Sequence, residues 1–275
     1  VFVKFDPERA ADYEAKAESV YELGKERPTT SDGFGGQRVF GVEQWQDERM
    51  CGAIELFRAT RRTGYARDAE EFAREAGPNP HAPSGPHNHD LCWHSFAVEG
   101  MELSIIDHWG KSVAGYADWV SEDPFLEGLI DTGPQWGTLS RAAGAAWSAG
   151  LYAGVTGDDS ARILALSQLD YILGDNSYAR SFVIGFGQNP PRFPHHRNAF
   201  GRSGWDAFHA RGPQRIKLEG ALVGGPTKKS EGPSSPGYQD DMHDYVGHEV
   251  SLHYNSSLVL LVAYALHIGV DRLPN

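Results

Sequence analysis

The chain has 275 residues, a formal net charge of −12, and 40% hydrophobic and 23% charged residues. This length permits one large domain with an ample core, and the composition is ordinary for a globular protein. The acidic balance argues against nucleic acid or an anionic membrane as the main partner, because proteins that bind those need a basic face. The longest apolar run, residues 258–266, falls short of the roughly 18 residues that a membrane span needs.

Most of the chain carries apolar residues at helical spacing. Asp6 and Pro7 supply an N-cap and a proline at the first helical position, so a helix is predicted over 6–25. Another helix begins at Asp158 or Asp159 and closes at Gly174. The same spacing predicts helices over 43–60, 65–76, 93–110, 113–120, 135–154 and about 249–267. We therefore expect an all-α protein built from helical hairpins.

One long region, residues 175–237, lacks helical periodicity and contains a single candidate strand at 181–184. Loops of that length in a compact domain are usually functional. Within it, residues 181–197 contain glycines that permit tight turns and prolines that stiffen the chain, and they end in His195, His196 and Arg197. This composition suits hydrogen bonding to hydroxyls or carboxylates. A rigid surface loop whose cations pair with nearby acids is the simpler alternative.

Residues 237–255 form an acidic and aromatic segment that directly precedes the apolar stretch near the C-terminal end. Three aspartates and Glu249 occur there beside Tyr238, Tyr245 and Tyr254. Carboxylates held out on a loop by a rigid scaffold are typical of a catalytic site. An acidic helix start, favoured by the helix dipole, explains the same composition without any chemistry.

The two segments together resemble the two signatures of glycoside hydrolase family 9, the cellulase family. The first signature has a Gly and an Asn followed by His-x-Arg, matched by Gly187, Asn189, His195 and Arg197. The second has an aromatic, an Asp, an aromatic, a Glu and an Asn at fixed spacing, matched by Tyr238, Asp240, Tyr245, Glu249 and Asn255. Residues 220–226, G-A-L-V-G-G-P, are similar to a turn of the same family. The resemblance covers essentially the whole chain and identifies residues 1–275 as the C-terminal portion of one catalytic domain.

The resemblance implies an (α/α)6 toroid and a set of site residues. Glu249 resembles the general acid, and Asp240 resembles the acidic residue of the active-site signature. His195 and Arg197 look like the residues that bind the sugar beside the scissile bond. The resemblance thus implies catalytic roles for Glu249, Asp240 and His195. Aromatic side chains are expected to line the sugar cleft at Tyr254, Tyr245, Trp136 and Trp93.

One expected group is missing from the sequence. The family carries its catalytic base in an Asp-Ala-Gly-Asp motif, and this chain has no such motif. An inverting hydrolase needs a second carboxylate, roughly 6.5–9.5 Å from the acid, to activate water. We therefore expect the toroid to be incomplete in this chain. A complementary N-terminal chain or segment is expected to cover its apolar helix faces and to supply the base.

The reaction implied is inverting hydrolysis of β-1,4 bonds in cellulose or related β-glucans. An exo-acting glucosaminidase on chitosan or chitin oligomers is the alternative within the same chemistry, and a non-catalytic carbohydrate-binding fragment is the alternative outside it. The chain departs from the family near the acid, where His248 replaces the usual Asn and His253 an Asp. These changes leave the exact substrate open.

The sequence requires no cofactor. The family often carries structural calcium, which is therefore the first metal to expect. Zinc is the second candidate, because a compact group of side chains contains His81, His87, His89, Cys92 and His94, with Cys51 able to join it. Whether the two cysteines pair instead is left open by the sequence. The family resemblance implies an extracellular or secreted protein.

Overall fold

The structure, a computed structural model, describes residues 2–26, 45–78, 83, 90–101, 103–120, 136–200, 216–226 and 237–270. The chain divides into two compact units, Val1–Pro80 with Asn88–Ser112 and His81–His87 with Val113–Asn275. The helices described are α1 Phe2–Phe5, α2 Pro7–Glu26, α3 Gln46–Thr60, α4 Thr63–Ala76, α5 Asp90–Val98, α6 Leu103–Val120, α7 Thr138–Thr156, α8 Asp159–Leu173, α9 Tyr245–His248 and α10 Leu252–Val270. The prediction of an all-α protein is confirmed over these residues.

In the first unit, α3 packs against α2, α4 and α5. Its inward face is apolar, with Met50, Ala53 and Ile54 fully buried. A disulfide between Cys51 and Cys92 joins α3 to α5. The sequence left this pairing open, and the structure shows that neither cysteine is available as a thiolate ligand.

In the second unit, the helix α7 packs against α8 and α10 and is buried along most of its length. Its many Ala and Gly residues allow neighbours to approach closely. A Cβ atom at Gly150 would lie 2.6 Å from the ring of Tyr264, which shows how near α10 lies to α7. The core around them contains Leu139, Trp147, Tyr171, Phe182, Leu222, Val223, Tyr254 and Leu261.

The helices predicted from periodicity over 6–25, 43–60, 65–76 and 135–154 are confirmed within a few residues of their ends. The cap prediction at the next helix is also confirmed, because the Asp158 carboxylate accepts hydrogen bonds from the backbone N–H groups of Ser160 and Ala161. Gly174 follows the last residue of α8, as expected. Caps and periodicity depend on residues that are close together in the sequence, so the helices they predict are also present in the folded protein.

The prediction of one helix over 93–110 is wrong. Helix α5 ends at Val98, and Gly100 adopts a positive φ of 68°. The backbone N–H of Met101 then donates to the carbonyl of Phe96, which is the closing bond of a helix that terminates at a glycine. Residues 113–120 accordingly belong to the longer helix α6 rather than to a separate short one.

The candidate strand at 181–184 is also corrected, whereas the last helix is confirmed within a few residues of its ends. Around Val183 the described residues form only an isolated antiparallel bridge, with Leu222. The last helix begins at Leu252, and Glu249 instead follows the short helix α9 in an extended conformation with ψ of 144°. None of the described helices combines the length and apolarity needed to cross a bilayer.

Candidate active site

The residues before α7 form one edge of the candidate site. Gly137 has a positive φ of 68°, and a Cβ there would lie 2.6 Å from the hydroxyl oxygen of Tyr254. Only glycine meets both demands without strain, and this turn brings Trp136 out to an exposure of 48%. Thr138 anchors the helix start, because its hydroxyl lies 3.2 Å from the carbonyl oxygen of Gly224 and 3.0 Å from that of Pro226.

The turn at residues 220–226 joins this helix start to the acidic segment. The backbone N–H of Leu139 donates to the carbonyl of Gly224, and that of Gly225 donates to the carbonyl of Gly247. A Cβ at Gly224 would lie 2.3 Å from the carbonyl oxygen of Val246, so the two backbones meet at van der Waals contact. The double glycine therefore allows the start of α7 and the segment that carries Glu249 to lie side by side.

Asn255 secures the same turn from the other side. Its Oδ1 accepts a hydrogen bond of 3.0 Å from the backbone N–H of Leu222, and its Nδ2 donates to the carbonyl of Gly220 at 3.2 Å. The sequence motif contained this Asn without suggesting what it does. Its role is to satisfy backbone groups of the turn.

The loop that ends in His195 is attached to the acidic segment through its backbone. Asp240 accepts hydrogen bonds from the N–H groups of Arg192 and Phe193, both at 3.1 Å for its Oδ1. The N–H of His195 donates to the carbonyl of His248 at 2.8 Å, and His195 forms a parallel bridge with Glu249. The two signature segments are therefore neighbours in space, as their joint resemblance to one active site requires.

The ring of His195 is held in a defined tautomer. Its Nδ1 lies 2.6 Å from the carbonyl oxygen of Met242. A carbonyl oxygen can only accept a hydrogen bond, so Nδ1 carries the proton in this contact. The ring also contacts Tyr245 edge to face, with 6.0 Å between the ring centroids.

Glu249 lies where these elements meet. The indole Nε1 of Trp136 donates a hydrogen bond of 2.7 Å to Oε2 of Glu249, which joins positions 113 residues apart in sequence. The Trp136 ring packs on Tyr245 at a centroid distance of 5.1 Å. A carboxyl group is thus placed beside two aromatic rings, which is a suitable environment for a sugar that must be both stacked and protonated.

Burial dominates the electrostatics around Glu249. It lowers the pKa of His253, and the Glu249 carboxylate opposes that shift. Burial also raises the pKa of Tyr254, and the same carboxylate raises it further. Both shifts favour the uncharged form of the neighbouring side chain.

The structure buries three of the predicted site residues. The Asp240 side chain is only 9% exposed, and its carboxylate accepts hydrogen bonds from two backbone N–H groups of the His195 loop. Tyr254 is 5% exposed in the core behind Gly137. Trp93 is fully buried and stacks on His108 in the first unit. Their predicted roles in catalysis and sugar binding stay predictions.

Arg197 is exposed and begins a short 3-10 helix, Arg197–Phe200. Its sugar-binding role, like those of His195, Tyr245 and Trp136, stays a prediction. The sequence marks His248 only as a departure from the asparagine that is usual in the family. The structure shows that this residue, directly before Glu249, is fully buried.

The zinc prediction is wrong in its cysteines, because Cys51 and Cys92 are bonded to each other. His81, His87 and His89 lie outside the residues that the structure describes. Among the described residues, no group of three or more His, Cys, Asp or Glu side chains is arranged to hold a metal ion. The calcium expectation stays a prediction.

The chain is similar to known proteins over most of its length. The model of glycosyl hydrolase family 9 matches residues 1–262. Endoglucanase A of Bacillus pumilus is 40% identical over 188 residues, which are 65% of this chain and 27% of that protein. Endoglucanase B of Cellulomonas fimi is 31% identical over 238 residues, which are 80% of this chain and 22% of that protein. The chain therefore matches about a quarter of the length of these relatives.

Solved structures show the same fold. An endoglucanase from the termite Nasutitermes takasagoensis superposes with a TM-score of 0.77 and 29% identity, covering 98% of this chain and 62% of that one. The (α/α)6 class expected from the sequence is confirmed by this similarity. The family match over nearly the whole chain, together with the signature residues found side by side, establishes that the chain belongs to glycosyl hydrolase family 9.

Proposed function

We propose that this chain provides the general acid for inverting hydrolysis of β-1,4-glycosidic bonds in cellulose or a related β-glucan. The observation that carries the proposal is the position of Glu249, hydrogen-bonded to the indole of Trp136 at 2.7 Å and flanked by Tyr245. Support comes from the family match and from relatives that are themselves endoglucanases.

Each residue has a definable part in this reaction. The indole holds Oε2 of Glu249, so the proton for the leaving-group oxygen comes from the other carboxyl oxygen. The exposed Trp136 ring and the partly exposed Tyr245 ring provide stacking surfaces for adjacent sugar rings. His195 and Arg197 would hydrogen-bond the sugar beside the scissile bond. Donation of a proton by a positioned carboxyl group accelerates such reactions by about 10²–10⁴-fold.

The base that activates water is proposed to come from outside this chain. The reaction needs a second carboxylate on the opposite face of the sugar. Asp240 does not fit that need, because backbone N–H groups occupy its nearly buried carboxylate. A complementary segment that carries the base also has a surface to contact in the first unit. There α2 exposes Val20 and Leu23 by 69% and 47%, beside a groove of about 990 Å³ between α2 and α3.

We also propose that the protein acts outside the cell. A disulfide such as Cys51–Cys92 persists in oxidising compartments and is rare in the cytosol. This agrees with a polymeric substrate that cannot enter a cell.

The variant Glu249→Gln tests the acid role. Glutamine retains an oxygen that accepts the indole hydrogen bond but has no acidic proton. In the assembled enzyme we expect the rate on cello-oligosaccharides to fall about 10²–10⁴-fold while cello-oligosaccharide binding, measured calorimetrically, is kept. Glu219→Gln, at an exposed glutamate, is the matched control and should hydrolyse at the unaltered rate. Near-normal turnover by Glu249→Gln would remove Glu249 from the acid role.

The partner and the substrate are tested on enzyme isolated from its source without denaturation. We expect every active preparation to contain a polypeptide segment with an Asp-x-Gly-Asp motif, identified by mass spectrometry.

Product analysis of the same preparation should give a range of cello-oligosaccharides. Release of monomer alone from chitosan oligomers would instead identify an exo-acting glucosaminidase. Binding of sugar without hydrolysis in a preparation that lacks the motif would identify a carbohydrate-binding fragment.

A further inference from the structure

His248 is a buried titratable side chain that the proposed reaction does not use. Its exposure is 0%, and its ring stacks on Tyr238 with 4.7 Å between centroids and 29° between planes. Its Nδ1 lies 3.9 Å from Oδ1 of Asp240, which is longer than a hydrogen bond, and neither ring nitrogen has a hydrogen-bond partner among the described residues. An apolar side chain would fill this interior position at lower desolvation cost, so the imidazole needs a separate explanation.

The backbone of His248 makes two hydrogen bonds beside Glu249. Its N–H donates to the carbonyl of Asp244 at 2.9 Å, which closes helix α9. Its carbonyl accepts the N–H of His195 at 2.8 Å, and the next residue is Glu249. Any displacement of His248 therefore moves Glu249 and the attachment point of the His195 loop together.

The side chain reaches the same loop by a second route. Asp240, which faces the imidazole, accepts the backbone N–H groups of Arg192 and Phe193 at 3.1 Å for its Oδ1. These two residues stand shortly before His195. The imidazole thus lies between the segment that carries Glu249 and the carboxylate that holds the His195 loop.

We propose that His248 is a positioning residue that acts through Asp240 to set the His195 loop against Glu249. This role deepens the proposed function and depends on it only where a rate is measured. The backbone of His248 is hydrogen-bonded to the His195 loop, and its ring lies beside Asp240, whose carboxylate holds the same loop. An error of about 1 Å in such a placement is enough to reduce a rate about 10²-fold.

Two variants of His248 separate positioning from simple packing. His248→Leu keeps an apolar side chain of similar volume but cannot interact with Asp240. His248→Asn is smaller but offers a carboxamide N–H to that carboxylate. Positioning through Asp240 predicts that Asn is tolerated and Leu is not, whereas packing alone predicts the reverse order. His243→Asn, at an exposed histidine in the same segment, is the matched control.

The first readout needs no catalysis. The indole N–H resonance of Trp136, assigned by its loss in Trp136→Phe, reports the hydrogen bond to Glu249. We expect this resonance to shift in His248→Leu and to stay at the wild-type position in His248→Asn and His243→Asn. In the assembled enzyme, kcat should fall about 10–100-fold for Leu, stay within about threefold of wild type for Asn, and show no change for the control.

An unchanged indole resonance and kcat in His248→Leu would overturn the proposal, as would an Asn variant that is as impaired as Leu. If the Leu variant does not fold, His248→Met, which adapts to irregular space, replaces it with the same expectations. Because the resonance is measured without substrate, failure of this proposal is distinct from failure of the acid role, which Glu249→Gln decides.

Discussion

The exposed half of the candidate site and the buried layer behind it use similar side chains for different purposes. Glu249, Trp136 and Tyr245 lie at the surface of the second unit, where the two aromatic rings and the carboxyl group face solvent in part. Asp240, His248 and Tyr254 lie behind them at exposures below 10%. Two carboxylates and two tyrosines of one segment are thus divided between the exposed half and the buried layer.

The difference shows what decides a role within a signature. Asp240 and Glu249 are chemically alike and nine positions apart. One accepts two backbone N–H groups in the interior, and the other accepts one indole N–H near the surface. A carboxylate whose lone pairs are taken by backbone donors stabilises a loop, whereas one that remains near solvent can exchange a proton with substrate.

The largest effect expected from this comparison is on stability, at the tyrosines. Tyr254→Ala should lower the free energy of unfolding by about 3–5 kcal/mol, because a buried aromatic ring is lost from the core. Tyr245→Ala should lower it by no more than about 1.5 kcal/mol, the value of its aromatic contacts, but should raise the KM for cello-oligosaccharides. Urea unfolding measures the first quantity and steady-state kinetics the second. Equal destabilisation by the two variants would contradict the division of the candidate site into an exposed half and a buried layer.

The carboxylates provide the second test, with isosteric changes. Asp240→Asn should lose about 1–2 kcal/mol of stability, because hydrogen bonds to a charged acceptor become hydrogen bonds to a neutral one. Glu249→Gln should change stability by less than about 0.5 kcal/mol, as expected for a partly exposed side chain. Both free energies of unfolding are calculated from the midpoints of urea unfolding curves, with one slope of free energy against urea concentration used for both variants. A Glu249 variant that is the less stable of the two would contradict the assignment.

The hydrogen bond from the Trp136 indole to Glu249 provides a third test, in which the expected effect is smaller and is measured as a change in kcat. Trp136→Phe keeps an aromatic platform and removes the donor to Glu249, so kcat should fall about tenfold, which corresponds to about 1.4 kcal/mol. The half-exposed position predicts little change in the unfolding midpoint. Trp147→Phe, at a buried core position of the same unit, is the control and should show the opposite result, with lower stability and an unchanged kcat.

The smallest effect concerns pH. Burial lowers the pKa of His248 below its ordinary value of 6.5, although the carboxylates of Asp240, Asp244 and Asp241 and the backbone of Gln239 favour the charged form. Between the folded and unfolded pKa values the unfolded chain binds more protons, so stability is lost as pH falls below about 6.5. The slope contributed by one group is at most about 1.4 kcal/mol per pH unit.

His248→Asn removes this titrating group and should flatten the pH dependence of the unfolding free energy between pH 6.5 and the lower pKa. His243→Asn, at an exposed position of the same segment, is the matched control for the substitution. An identical slope in wild type and His248→Asn would show that the buried imidazole does not titrate in this range.

The helices and the segments of the candidate site were predictable because their signals are local. Asp158 caps α8 through its own side chain, and Gly174 follows that helix, so neither depends on distant residues. The break between α5 and α6 was missed, although Gly100 marks it, because apolar spacing continues across the glycine. The spacing of Asp240 and Glu249 within their motif predicted an active site but not which carboxylate would stand at its surface.

The sequence by itself determined the all-α class, the family and the segments of the candidate site, because periodicity, caps and motif spacing are properties of neighbouring residues. Only the tertiary structure decided the pairing of Cys51 with Cys92 and the 2.7 Å contact of Trp136 with Glu249. It also decided that Asp240 supports a loop while Glu249 meets the surface. These outcomes depend on burial and on partners 41 to 113 residues away in the sequence. Patterns of neighbouring residues contain no information about such distant partners.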